Sequence, residues 1–188
     1  EVLMTFVEMV PTDTVKYEVD KSSGYLKIDR PQKYSSILPA LYGFIPQTYC
    51  GNQVAEKSSS ILKRPEIVGD GDPLDICILT EKEITHGDIL VRVIPIGGFR
   101  MIDGNEADDK IIAVLKGDAV YGDYKDITDC PAPVVNRLKH YFLTYKDMPG
   151  VKGEQCEITH TYDKKEAHDL IERSMDDYKK HVETMLFE

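Results

Sequence analysis

Asp70-Gly71-Asp72-Pro73-Leu74-Asp75 packs three carboxylates into six residues, and Asp103 and Asp108 follow on a later acidic stretch. Clustered carboxylates repel one another unless something cationic sits among them. Hard divalent cations take carboxylate oxygens, and Mg²⁺ in particular is held by a few carboxylates plus substrate phosphates. Cations are dispersed elsewhere, several close to tyrosines: Lys16 before Tyr17, Arg30 upstream of Tyr34, Lys110, and Lys146 after Tyr145. Arginine grips a phosphate bidentately and lysine supplies a point charge. Carboxylates for a metal and cations for an anion point to metal-assisted chemistry on a phosphate. The two acidic stretches together supply enough carboxylates for two or more ions, and metals roughly 3.5–4 Å apart can activate a water and stabilise a leaving phosphate.

Each feature alone has a plainer reading. Asp103-Gly104-Asn105-Glu106-Ala107-Asp108-Asp109-Lys110 by itself is an exposed acidic turn, and a single strand lysine is usually just solvated. The first motif is stronger. On an extended strand Asp70 and Asp72 would share a face, with the turn at Pro73 returning Asp75 beside them. An EF-hand is excluded: Leu74 stands at a ligand position, Asp75 replaces the required glycine, and the flanks read as strands. There is no phosphate-binding glycine loop, dinucleotide fingerprint or Gly-x-Ser-x-Gly elbow, and the five histidines have no metal-ligand spacing. His140, beside Tyr141, reads as a packing or interface residue.

The elements that must carry these residues change character along the chain. Residues 5–10, 15–19 and 25–29 are rich in strand formers, with Lys21-Ser22-Ser23-Gly24 as a hairpin turn between the last two. Residues 76–79, 89–96 and 110–115 are further apolar strands, and many short strands with Gly and Pro turns suggest a barrel. The last third reads as helix. Val134, Leu138, Tyr141, Phe142 and Tyr145 fall at helical spacing after Pro131 and Pro133, and a second stripe runs from Ala167 through Leu170, Ile171, Met175, Tyr178 and Val182 to Met185. Residues 52–68, with Ser58-Ser59-Ser60, read as a polar loop or hairpin extension on the surface, away from the carboxylates and mobile at its serine tip.

The 188 residues, 41% hydrophobic and 30% charged, suit one domain with a real core. A net charge of −10 argues against nucleic acid as a partner. No apolar run is long enough to span a bilayer and no signal peptide is visible. Cys50, Cys77, Cys130 and Cys156 are widely spaced and read as reduced thiols, which favours a cytoplasmic setting. The chain opens directly in a strand-like run, so further residues are expected before Glu1.

Several anchors in order carry a resemblance over nearly the whole chain: Val15-Lys16-Tyr17-Glu18, Asp29-Arg30, Pro39 with Tyr42-Gly43-Phe44-Ile45-Pro46, the motif at 70–75, 103–110, and His140-Tyr141-Phe142 with Tyr145-Lys146-Asp147. The chain resembles the family I (soluble) inorganic pyrophosphatases of the bacterial type. That resemblance implies a mostly β fold, an OB-like five-stranded β-barrel packed with two C-terminal helices. It implies Mg²⁺-dependent hydrolysis of pyrophosphate, with several ions per site and a homohexamer. Asp70, Asp75 and Asp108 would hold the first Mg²⁺, with Asp75 also touching a second. Asp103 and Asp108 would take metal arriving with substrate, and Glu18 another through water. Asp72 would be the general base, and Lys16, Arg30, Tyr42, Lys110, Tyr145 and Lys146 would contact the phosphates. Glu8 would stand at the cavity edge.

Gly104 and Thr144 stand where some relatives have an acidic residue and a histidine, Leu38 replaces a tyrosine, and residues 51–69 are longer than in compact members. Two rivals remain. A non-catalytic divalent-cation-binding β-domain explains the aspartates but not the Lys, Arg and Tyr set. An OB-fold nucleic-acid binder explains a barrel but not the charge.

Overall fold

Short runs of β-branched and aromatic residues form strands, and their pairing closes them into a ring. The computed structural model describes residues 1–150 and 156–187. Within them the order is β1 (Leu3–Met9), β2 (Val15–Val19), β3 (Leu26–Pro31), β4 (Leu41–Phe44), α1 (Asn52–Leu62), β5 (Val68–Gly69), β6 (Asp75–Leu79), β7 (Ile89–Asp103), β8 (Glu106–Ala107), β9 (Lys110–Leu115), α2 (Ala132–Thr144), β10 (Cys156–Asp163) and α3 (Lys164–Phe187).

β1 pairs with β4, β4 with β6, β6 in parallel with β9, β9 with β7, and β7 back with β1. These five strands make the expected OB-like barrel. The 15-residue β7 is long enough to leave the ring, and its second half pairs with β10 and β8. Gly43 lets β4 lie against β1: a Cβ there would stand 1.9 Å from the Phe6 carbonyl oxygen. β2 and β3 form a separate hairpin, turned where expected, with Gly24 N–H donating to the Asp20 carbonyl at 2.8 Å.

Strands β6 and β9 are buried on both faces, which is why they read as continuous apolar runs. Ile76, Ile78, Ile111 and Ala113 pack with Leu170 and Ile171 of α3, while Cys77, Leu79, Ile112 and Val114 pack with Leu138 and Phe142 of α2. Both helices expected near the C-terminus are present. Among the described residues no helix is long and apolar enough to cross a membrane.

Two expectations are corrected. Residues 52–68 are not a loop or hairpin extension with a mobile serine tip. They begin with α1, in which Val54, Ala55 and Ser58 are buried. Val54, Ala55, Ile61 and Leu62 do fall at helical spacing, but Ser58, wholly buried, interrupts the apolar stripe that would have shown it. The last third is also not all helix, because β10 stands between α2 and α3. Its Thr159 and Thr161 are strand formers whose register against β7 is set by residues some 60 positions away.

Candidate active site

The residues to which the resemblance gives a metal, base or phosphate role line one cavity of about 270 Å³: Lys16, Glu18, Arg30, Tyr42, Asp70, Asp72, Asp75, Asp103, Asp108, Lys110, Tyr145 and Lys146. The barrel forms the floor. The parallel pairing of β6 with β9 sets Asp75 directly beside Lys110. Lys110, 3% exposed, donates to Asp75 and to Asp108 at 2.5 Å each and lies 3.3 Å from the Tyr42 hydroxyl. That hydroxyl donates to Asp75 at 2.5 Å.

The hairpin supplies one wall. Lys16 and Arg30 are opposite each other in the β2–β3 register, and Arg30 lies over the Tyr145 ring, 5.9 Å from its centre. Lys16 sits 3.8 Å from Glu18 and 3.7 Å from Asp29. Beyond the end of α2, Lys146 pairs with Asp103 at the end of β7.

Asp70 and Asp72 do not lie on one extended strand, as their spacing had suggested. Gly71 turns the chain with φ +74°, a conformation open to glycine, and Asp72 N–H donates to the Asp70 carboxylate at 2.9 Å. The turn still leaves both carboxylates in the cavity wall. Asp72, at the mouth, is gripped by Lys21 at 2.5 Å.

Negative charge is crowded here. Burial pushes the Asp70 carboxyl up to about 8, with Asp108 and Asp75 repelling it further. Burial pushes Asp108 up to about 6 despite Lys110. Glu8 rises to about 7, chiefly through burial. Burial also disfavours the ionised Asp103, but the Lys146 ammonium outweighs it and holds that carboxyl below the usual range. Burial pulls against the Lys110 charge, and Asp108 and Asp75 more than offset it. Burial raises the Tyr145 phenol to about 12.

Among the described residues no three acidic, histidine or cysteine side chains converge on one point. Lysines lie between the carboxylates instead. The donor set nonetheless fits a hard divalent cation: acceptor-only oxygens, several of them buried, in excess over the cations that neutralise them. Lys21, Gln32, Glu106 and Tyr141 also line the cavity and were missed in the sequence. Lys21 lay inside a turn signal that explained it fully, Tyr141 in a helical stripe and Glu106 in an acidic stretch that gave them no role at the site, and Gln32 carries no signal.

Known proteins share this frame. A family model described as inorganic pyrophosphatase matches residues 5–179. An inorganic pyrophosphatase of Chlamydia muridarum is 52% identical over 182 residues, covering 95% of this chain and 87% of its own length. The crystal structure of the Thermus thermophilus inorganic pyrophosphatase superposes with a TM-score of 0.79 at 30% identity, over 95% of this chain and 92% of that one. The Helicobacter pylori inorganic pyrophosphatase superposes with a TM-score of 0.78 at 28% identity, over 95% and 94%. The chain therefore belongs to the inorganic pyrophosphatase family, whose reaction is the hydrolysis of pyrophosphate to orthophosphate.

Proposed function

We propose that the cavity is where this chain hydrolyses pyrophosphate, that Asp70, Asp75, Asp103, Asp108 and Glu18 hold Mg²⁺ there, and that Asp72 is the general base. The observation that carries this reading is the convergence of Asp70, Asp75, Asp103 and Asp108 with Lys16, Arg30, Lys110 and Lys146 in one cavity, where burial and neighbouring carboxylates oppose the ionisation of Asp70 and Asp108. Bound there, Mg²⁺ would neutralise pyrophosphate charge and lower the pKa of a water.

The chain's own residues do the rest. Lys16 and Arg30, side by side on the hairpin, take phosphate oxygens from one wall, and Lys146 takes them from the other. Lys110 and the Tyr42 hydroxyl contribute donors from the floor. Charge developing on the leaving phosphate meets this ring of fixed donors, so catalysis is positioning and electrostatic stabilisation. Asp72, at the mouth and half exposed, accepts the proton of the attacking water.

The test is phosphate release from pyrophosphate with and without Mg²⁺, with ATP and p-nitrophenyl phosphate as controls. Release from pyrophosphate alone, abolished by chelation and restored by Mg²⁺, is expected. Asp75→Asn should raise the Mg²⁺ requirement steeply. Metal-independent release would overturn the assignment, and binding of divalent cation without turnover would favour the non-catalytic alternative.

The same reading includes a cytoplasmic homohexamer. It draws on the bacterial resemblance, on the free thiols of Cys50, Cys77, Cys130 and Cys156, and on His140 and Leu143 exposed on the outer side of α2. A monomeric sedimentation mass at micromolar concentration would overturn the hexamer.

A further inference from the structure

The Asp70–Asp72 turn is backed by a segment that is itself fixed by α3. Cys50 N–H donates to the Asp72 carbonyl at 2.8 Å, and Gly71 N–H donates to the Cys50 carbonyl at 3.1 Å. The residue before it, Tyr49, is tied to α3 twice: its N–H donates to the Ser174 carbonyl at 3.0 Å, and its ring stacks on His181, with centres 4.2 Å apart and planes within 9°. The Tyr49 hydroxyl reaches over Gly71, 3.4 Å from where a Cβ would stand. α3 grips the far side of the same segment as well. α1 has no side-chain cap of its own, and the Asp177 carboxylate accepts from Gln53 N–H at 2.9 Å and Val54 N–H at 3.2 Å instead. The turn holding two candidate catalytic carboxylates thus leans on Tyr49, and Tyr49 leans on a helix that contributes nothing to the cavity lining.

We propose that Tyr49, held by His181 of α3, is a positioning residue for the Asp70–Asp72 turn and so sets how tightly the cavity takes a divalent cation. This rests on the reading of Asp70 as a cation ligand. Without the ring, the Gly71 backbone loses the surface that keeps the Asp70 carboxylate aimed inward. Loss of such support behind a ligand weakens metal binding even when every ligand remains.

The test is calorimetric titration of Mg²⁺ into the metal-free full chain, with thermal melting to establish folding. Tyr49→Leu should bind Mg²⁺ about tenfold more weakly. His181→Ala should move affinity in the same direction, and the double variant should be no weaker than Tyr49→Leu, because both act through one contact. Lys180→Ala, at an exposed position on the same stretch of α3, should bind as the parent does. A purely structural role would lower the melting temperature and leave Mg²⁺ affinity in place. Parent-like affinity in folded Tyr49→Leu overturns the proposal. If Tyr49→Leu does not fold, parent-like affinity in His181→Ala overturns it. Asp70→Asn separates the two levels: parent-like affinity there removes the metal reading and this inference together. Lost affinity in Asp70→Asn with parent-like Tyr49→Leu removes this inference alone.

Discussion

Asp108 and Asp109 are neighbours in the chain and opposites in the fold. Successive side chains of an extended segment point to opposite faces, so Asp108 enters the cavity with Lys110 while Asp109 turns away from it. Asp109 meets Arg100, whose Nε lies 3.0 Å from the carboxylate. Both side chains of that pair are fully buried, Arg100 lies over the Tyr162 ring, and its Nη2 stands 3.1 Å from Glu166. Burial pushes both aspartates to about 6, and each has a cation beside it. The shifts alone would not distinguish them. Access does. Arg100 and Tyr162 enclose Asp109 on the protein side, whereas Asp108 shares a lysine with Asp75 in a cavity that also holds Asp70 and Asp103. A perturbed carboxyl marks a functional site here only where its charge faces a space that a ligand can enter.

Substitutions on the two sides should fail differently. Asp72→Asn keeps shape but removes the proton acceptor, and loss of a general base costs about 10²–10⁴ in rate. The melting temperature should stay near the parent's. Near-normal kcat at saturating Mg²⁺ would remove Asp72 from that role. Asp109→Asn should behave in the reverse way. It takes one of two carboxylates from a buried guanidinium and leaves it Glu166 alone, a loss of about 3 kcal/mol in stability by denaturant titration, while the folded fraction keeps its Mg²⁺ requirement. A rate loss without destabilisation would erase the distinction between the two aspartates.

Acid–base linkage sharpens the same contrast. Asp70, Glu8, Asp108 and Asp109 have folded pKa values of about 8, 7, 6 and 6, all raised mainly by burial. A carboxyl with a raised folded pKa contributes stability that is fully present below its unfolded value near 4 and is lost as pH rises through the folded value. Metal-free protein should therefore melt lower at about pH 8.5 than at about pH 5.5. At about pH 8.5, Mg²⁺ at about 100 times its dissociation constant should return about 2.7 kcal/mol. Asp70→Asn should forfeit most of that return and Asp109→Asn should keep it. Equal responses in both variants would break the comparison.

The smallest effect belongs to Lys21→Ala. The Lys21 side chain is 70% exposed, so its pair with Asp72 should be worth no more than about 1 kcal/mol in stability, and its loss should change rate by at most about fivefold. A larger drop in kcat would make Lys21 part of the machinery that orients Asp72.

Much of the site was legible because its chemistry is local in sequence. Asp70, Asp72 and Asp75 crowd one short segment, and no plain structural role needs three carboxylates there. The apolar runs at 76–79 and 110–115 announced buried strands, and Pro131 with the stripe from Val134 to Tyr145 announced α2. Ordered anchors from Lys16 to Lys146 then pointed to the family that the comparisons bear out. What the residues could not declare was anything settled by a distant partner. α1 is a helix because its buried face packs against the rest of the fold, and Ser174 and Asp177 of α3 hold the segment leading into it. β10 is a strand because β7 offers it an edge, and Asp109 is structural because Arg100 waits on the far face. Residue type and spacing determined which groups could do chemistry, since that depends on donors, acceptors and local periodicity. Only the tertiary structure decided which of them share a cavity, because burial and charge pairing depend on residues brought together from far along the chain.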